Sequence, residues 1–519
     1  MAFFSKFGLR FGEVFFLYKF KINSKIIEAL LFAILGLISS SYFSISCWPK
    51  ENIFRYFGGI AFIFSFGIFF YRIYIHKNKL LFVHGFVYWI FYFIGALYWL
   101  VYPLTFNLKT HGLLIPIALV IVPAYLSIPL LIPIYFIKKY CKNVRASALW
   151  FSFLNFCVFY LEGHYAPGFP WAIPGYVWSE NIYMMQSLSI WGIYGQTFIT
   201  LLIGSIFGIG FYYNKKDWKK CFLSVFTAFC LLLFIYVFGF TRISKNFEEC
   251  TNYKIRSIQG SILQQNKMNK KLSLSNLNFQ LNLSRIESDR ENWTPDFLIW
   301  PEASVPYLFT DNSVFLKQKL AEVVPVEGYL IVGVVREDST NKKIYNSVAV
   351  LDGAGSNIVN YDKKHLVPFG EYIPFRKLIP KIFAPIANSI GDFAVGKNSN
   401  VVELKGLKMA LTICYEAIFP GEFISADADA IVNITNDAWF GYTSELVQHL
   451  NIVRARAIEE GVPLIRVTNF GISAVFDAYG RKIESLEENK VGVIDCYIPK
   501  KIKKTFYRKF FVDKMRLKQ

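Results

Sequence analysis

Long apolar runs crowd the first half of this chain, whereas short ones separated by polar residues fill the second. A membrane-crossing helix needs roughly 20 mostly apolar residues. Seven stretches have that pattern, at about 26–48, 53–75, 80–104, 112–137, 146–162, 186–212 and 222–240, the fifth being the shortest. So many long, closely spaced runs read poorly as buried helices of a soluble core. Residues 1–25 carry scattered charges without an uninterrupted apolar stretch, so no cleavable signal peptide is expected. The first helix would itself direct insertion.

The pattern changes near residue 245. Short apolar runs at 254–262, 296–302, 328–335, 346–352, 408–416, 429–437 and 464–480 read as strands, and 313–323 and 444–460 as amphipathic helices. Helices between continuous Val/Ile/Leu strands predict an α/β layered domain over 250–498, after a helical membrane domain over 1–245. The Pro-punctuated stretch 371–396 is either an ordinary structured loop or a lid facing lipid. Residues 499–519 carry nine Lys/Arg interleaved with aromatics. They read as an interfacial segment or as a flexible basic tail.

Composition strengthens the membrane reading: 54% of residues are hydrophobic and only 18% charged, against about 25% in ordinary soluble proteins. The net charge of +19 has a topological pattern. Lys6, Arg10, Lys19, Lys21 and Lys25 precede the first run. Later come Arg72, Lys77 and Lys79, then Lys138, Lys139, Lys142 and Arg145, then Lys215, Lys216, Lys219 and Lys220, with charge-poor loops between these clusters. This alternation predicts a cytoplasmic N-terminus and, after seven crossings, an exported second half. Nucleic-acid binding thereby loses its main support.

Of eight cysteines, only Cys250, Cys414 and Cys496 fall in the second half. Three is odd, so at least one thiol there is free or pairs elsewhere. Cys414 ends an apolar strand in ALTICYEAIF, Glu302 ends another in FLIWPEAS, and Lys363, Lys364, His365 and Glu371 cluster in YDKKHLVPFGEYIP. Taken singly, these read equally as inert core, a salt-bridged loop and a surface turn. Together they bring a thiol, a carboxylate and an amine to strand ends of one domain. No His/Cys/Asp cluster has metal-ligand spacing, and no phosphate-cradling loop or dinucleotide fingerprint occurs, so neither metal nor cofactor is expected.

WPE, Y-x-K-x-H-L-V-P-F-G-E-Y and CYE, in this order, resemble the nitrilase superfamily, which implies an αββα sandwich with a Glu-Lys-Cys triad. GDFAVG (391–396), NITNDAWFG (433–441), TNFGISAV (468–475) and GFPW (168–171), the last followed by Gly175 and Tyr176, resemble more specifically the apolipoprotein N-acyltransferases. That family joins a polytopic membrane bundle to an exported nitrilase-like domain.

The resemblance implies Glu302 as the base for the thiol, Lys363 as the cation that steadies the oxyanion, and Cys414 as the nucleophile. Strand alternation would point Lys364 away. Glu371 would orient Lys363 or assist proton transfer, and Asn346 would support the site. Glu416 is either a supporting group or a structural hydrogen-bond acceptor. Tyr415 and Trp439 would line the cleft or simply pack, and His365 is read as part of the turn.

The activity implied is acyl transfer from a membrane phospholipid, through a Cys thioester, to the α-amine of an apolipoprotein's S-diacylglyceryl-cysteine. That is the last step of lipoprotein maturation. It would take place in a monomer of the bacterial inner membrane whose catalytic domain is periplasmic. The final membrane helix expected of the family has no counterpart after Ile498. A membrane-tethered nitrilase-type amidase or hydrolase would share the triad. A transporter or receptor with an exported binding domain would not depend on Cys414.

Overall fold

The computed structural model describes residues 24–45, 56–76, 80–165, 168–244, 249–291, 293–374, 392–424 and 427–513. Most of the expected lid, 375–391, lies outside these, as do Lys6, Arg10, Lys19, Lys21, Lys77, Lys79 and Cys47.

Among the described residues, six helices are long and apolar enough to cross a membrane: Gly58–Ile75, Leu81–His111, Leu114–Tyr140, Val144–His164, Leu188–Tyr213 and Trp218–Ser244. The first of the seven expected runs forms a 16-residue helix, Ser24–Ser39, then a five-residue one, Ser41–Ile45. The fifth, shortest by apolar run, becomes a 21-residue helix. Asn143 caps it by accepting from Arg145 N at 2.8 Å, so it starts before the hydrophobic stretch does. Inside the bundle Phe66, Phe69, Tyr88, Trp89 and Phe151 stack around one another. Outside, Phe222, Phe226, Phe229 and Phe234 of the last helix are exposed, a surface suited to hydrocarbon rather than water.

The second half holds two sheets. The first contains β1 (Cys250–Gln259), β2 (Phe297–Ile299), β3 (Leu308–Phe309), β4 (Tyr329–Glu337), β5 (Ile344–Asp352), β6 (Asn357–Asp362) and, from the end of the chain, β13 (Gly492–Pro499). Its order is β13-β1-β2-β4-β5-β6, with β3 also beside β4. The second is β12-β11-β10-β9-β8-β7, built from β7 (Val401–Leu404), β8 (Leu407–Ile413), β9 (Ala430–Thr435), β10 (Leu464–Thr468), β11 (Ser473–Phe476) and β12 (Lys482–Leu486).

Side-chain alternation builds the layers. Met409, Leu411, Ile413, Val432 and Ile434 face Ile299, Ile331, Val348 and Val350 across the sandwich. Their neighbours Ala410 and Ile431 face out and pack with Val453 and Ala457 of the Glu445–Glu460 helix. On the other outer face, Leu277 and Leu281, one turn apart, pack the Ser273–Ser284 helix onto Leu298, Leu330 and Val332. The fold is therefore a helical membrane bundle followed by an αββα sandwich, as expected.

Several details differ from the sequence reading. The run 464–480 is two strands rather than one, and 408–416 stops being strand at Ile413. The Ser273–Ser284 helix was not expected, because SLSNLNFQLNLS offers few strong helix formers. Residues 505–512 are packed instead of loose. Tyr507 is buried against Gly192, whose φ of +64° kinks the Leu188–Tyr213 helix, and Thr505 Oγ1 donates to Glu459 O. Phe506, Phe510 and Phe511 remain exposed.

The Glu445–Glu460 helix joins the two halves. Its Ile452, Ala455 and Ile458 belong to the apolar core of the bundle. Gln448 Oε1 accepts from Trp171 Nε1 at 2.7 Å and Trp99 Nε1 at 3.2 Å, and its Nε2 donates to Phe43 O at 2.9 Å. Glu459 Oε1 accepts from Ile193 N at 2.7 Å, an N–H exposed by the Gly192 kink.

Candidate active site

Strand ends gather the site. Glu302 follows β2, Lys363 follows β6 and Cys414 follows β8, while Asn346 lies on β5. Close packing brings the loops in. A Cβ on Gly333 would stand 2.6 Å from Glu302 Cα, and one on Gly396 would stand 1.9 Å from Asp362 O. Gly396 N donates to Lys363 O at 2.8 Å, and the closeness of Asp362 O is the structural reason for a glycine at the end of GDFAVG.

Cys414 has a φ of +50°, a left-handed conformation that strains an L side chain by roughly 1–3 kcal/mol. It opens the tight turn Cys414–Ile418, which lifts the thiol out of the sheet, and it carries no disulfide. Glu416 holds that turn. Its Oε2 accepts from Ile413 N at 2.8 Å, and its Oε1 from Tyr361 OH and Lys364 N, both at 2.7 Å. One buried carboxylate thus ties the cysteine turn to the lysine loop. Lys363 is buried, while Lys364 is half-exposed.

The polar atoms converge. Lys363 Nζ donates to Glu371 Oε1 at 2.9 Å and stands 3.7 Å from Glu302 Oε1. Asn346 Nδ2 bridges the two carboxylates at 2.7 and 2.8 Å. Glu371 Oε2 accepts from Val367 N at 2.8 Å. Burial works against the Lys363 charge, yet Glu371 and Glu302 override it and hold the amine well above its ordinary range. Burial and then the Glu302 charge push the Cys414 thiol far up, with Lys363 opposing. Burial also raises Glu302, reinforced by Glu371 and opposed by Lys363. These shifts favour a protonated thiol and a cationic lysine.

Tyr415 is buried and donates from its hydroxyl to Gly168 O at 2.8 Å, linking the turn to the GFPW loop of the bundle. Trp439 is 40% exposed and meets Phe106 of the bundle edge to face at 5.9 Å. His365 stacks on Phe419 at 3.8 Å, within the turn.

The structure adds residues that the sequence did not single out. Lys267 Nζ donates to Glu302 O at 2.9 Å, and burial pushes this amine down to about 8 against the pull of Glu302. Asp437 and His449 come close to Cys414: its Sγ, an Asp437 oxygen and a His449 ring nitrogen lie within 4.8 Å of one another. Asp437 stands within the quoted NITNDAWFG motif, but nothing local marks His449 among the polar residues of its helix.

A buried thiol, carboxylate and amine at the strand ends of an αββα sandwich, set on a helical membrane bundle, define the class: a carbon–nitrogen hydrolase domain fused to membrane helices. The Carbon-nitrogen hydrolase family model matches residues 254–505, and the Apolipoprotein N-acyltransferase N-terminal domain model matches 53–206. The chain is 32% identical over 437 residues to the apolipoprotein N-acyltransferase of Rickettsia typhi, covering 80% of this chain and 83% of that one. It is 35% identical over 408 residues to that of Bradyrhizobium diazoefficiens, covering 76% and 75%. A solved CN-hydrolase superfamily protein from Xanthomonas campestris is similar at 18% identity and a TM-score of 0.34, covering 49% of this chain and 91% of that one. The chain belongs to the apolipoprotein N-acyltransferase family.

Proposed function

We propose that this enzyme moves an acyl chain from a membrane phospholipid to the α-amine of the N-terminal S-diacylglyceryl-cysteine of apolipoproteins, through a thioester on Cys414. The observation that carries the chemistry is the buried Lys363 held between Glu302 and Glu371 beside a strained thiol.

The Glu302 carboxylate takes the thiol proton as Sγ attacks the ester carbonyl. The high thiol and raised Glu302 favour transfer during attack over a standing thiolate. Lys363 keeps its proton and faces the developing oxyanion. The ester C–O bond breaks, and the leaving lysophospholipid oxygen takes the proton back from Glu302. In the second half the free amine attacks the thioester. Its proton passes to Glu302, the C–S bond breaks, and sulfur is reprotonated. Glu371 and Asn346 fix Lys363 and Glu302, Glu416 fixes the two loops, and Tyr415 and Trp439 border the cleft on the bundle side.

The bundle explains transferase over hydrolase chemistry. Extracting a lipid would cost about 0.8 kcal/mol per exposed CH₂, which a site at the bilayer surface avoids. Exclusion of water protects the thioester. Orientation has support from the two ends of the bundle. Arg72, Lys138 and Lys142 gather at one end, where Lys138 Nζ donates to Tyr74 O at 2.8 Å. Trp99, Trp171 and Trp178 stand at the other, beside the sandwich. The basic end is cytoplasmic and the catalytic domain periplasmic, in the inner membrane of a bacterium, with the enzyme acting as a monomer. The exposed Phe506, Phe510 and Phe511 rest on the membrane surface.

The test is purified enzyme with phospholipid and a diacylated lipopeptide bearing a free N-terminus. Intact mass should show an acyl adduct on Cys414 with phospholipid alone, discharged by the lipopeptide. Continued peptide acylation by Cys414→Ala would sink the mechanism. Release of free fatty acid in place of amide would favour a hydrolase.

A further inference from the structure

The mechanism above makes no use of Lys267. β1 ends at Gln259, and the chain passes through Ser261 and Ile262 into a short helix, Gln264–Met268. Two asparagines of the second sheet hold this stretch. Ser261 N donates to Asn469 O at 2.7 Å, Asn469 Nδ2 to Ile262 O at 2.7 Å, and Asn436 Nδ2 to Gln264 Oε1 at 3.0 Å. Asn436 follows β9 and Asn469 follows β10, and both strands run in the direction of β8, so the helix is fixed at the same strand ends as Cys414. From there Lys267 reaches the loop after β2, where its Nζ donates to Glu302 O at 2.9 Å. Without it the charges in that place are uneven. Glu302 and Glu371 lie 3.7 and 2.9 Å from one ammonium, that of Lys363, and Asn346, which bridges both carboxylates, is neutral. Lys267 brings a second ammonium from an element remote in sequence.

We infer that Lys267 is a positioning residue for the base: it fixes the main chain of Glu302 and supplies the countercharge that keeps this carboxylate ionised while Glu371 engages Lys363. The inference rests on Glu302 being the base for Cys414. Geometry carries it, through the hydrogen bond at 2.9 Å and the sharing of Lys363 between two carboxylates. The electrostatics agree from both ends. Burial pushes the Lys267 amine down, with Glu302 pulling the other way, to about 8, so it keeps its charge at neutral pH. Burial raises Glu302, and Lys363 and, less strongly, Lys267 oppose that rise. The titratable groups around Glu302 are thus Lys363, Glu371, Cys414 and Lys267. Nothing local distinguishes Lys267 from Lys270 and Lys271 in QQNKMNKK, and only the fold selects it. Its proton stays on nitrogen, and the thiol proton still goes to Glu302.

The test is single-turnover formation of the Cys414 acyl adduct from phospholipid, followed by intact mass on the full detergent-solubilised chain from acid to neutral pH. Lys267→Met removes charge and donor, whereas Lys267→Gln removes the charge alone. Each should move the acid limb up by about one pH unit, slowing adduct formation about tenfold below the midpoint. Lys267→Arg keeps both properties and should lie nearer wild type. Lys270→Met, on the exposed neighbour, should leave the limb in place. Where Lys267→Met does not fold, Lys267→Gln against Lys267→Arg gives the same contrast. A rate lowered equally at every pH with the limb unmoved would make Lys267 a structural prop and overturn the inference. So would an arginine variant no better than the glutamine one, or an equal shift in Lys270→Met. Adduct formation by Glu302→Gln at the wild-type rate removes the base itself, and this inference with it.

Discussion

Lys363 is bonded to Glu371 more closely than to Glu302, at 2.9 against 3.7 Å. The lysine thus has Glu371 as its nearer anionic partner, with Glu302 the more distant one. Glu371→Gln keeps a hydrogen-bond acceptor near Nζ but removes its charge. Peptide acylation should fall about a hundredfold with the fold intact, and Glu302→Gln should stop thioester formation altogether. Single-turnover measurement of the acyl adduct in both variants separates orienting from proton transfer.

Burial and the neighbouring Glu371 charge raise the Glu302 pKa. A carboxylate with a raised pKa takes up its proton at a higher pH, and protonated Glu302 cannot accept one from sulfur. The acid limb of kcat/KM should therefore have its midpoint above the value of about 4.3 for a free glutamate. Glu371→Gln removes the like charge and frees Lys363 to act on Glu302 alone, so the limb should shift to lower pH. A pH profile of both enzymes checks the sign.

Gly396 admits the Lys363 loop. A Cβ there would stand 1.9 Å from Asp362 O, a backbone atom that cannot rotate away. Gly396→Ala should destabilise the domain by about 1–3 kcal/mol and displace Lys363, lowering both thermal stability and acylation. Thermal unfolding in detergent, together with activity, reads both effects.

How much of this was legible depended on whether a residue works locally or across the fold. The membrane runs and the strands β4, β5, β8 and β9 could be read because burial on both faces demands continuous Val, Ile and Leu. The Ser273–Ser284 helix could not, since Leu277, Leu281 and Leu283 join the core while Leu274 and Phe279 are exposed among Asn, Gln and Ser. Glu302, Lys363 and Cys414 stood out through their motifs. Their spacing along the chain carried no sign of convergence, which the strand order β2-β4-β5-β6 and the facing β8 bring about. Glu416 was ambiguous in sequence, and three backbone donors show it as the tie between two loops. Lys267 was missed because Glu302 lies far away in sequence, and His449 and Asp437 because their nearness to Cys414 arises only in the fold. The uncharged Gln448 was passed over for the same reason.

Gln448 is where the bundle and the catalytic domain exchange hydrogen bonds, and its amide suits the place in a way no other side chain does. Its oxygen accepts from the buried indoles of Trp99 and Trp171, and its nitrogen donates to the carbonyls of Phe43 and Ala96. Gln448→Leu fills much the same volume but orphans the buried Trp171 N–H, at about 1–3 kcal/mol, while Trp99 Nε1 keeps Ala96 O at 3.2 Å. Gln448→Glu keeps the acceptor for both indoles, yet turns a negative charge toward two carbonyl oxygens and loses their donor. Both variants should unfold at lower temperature in detergent, with the glutamate variant no more stable than the leucine one. Equal stability of all three proteins would mean that the joint between the two halves rests on Ile452, Ala455 and Ile458 packing alone.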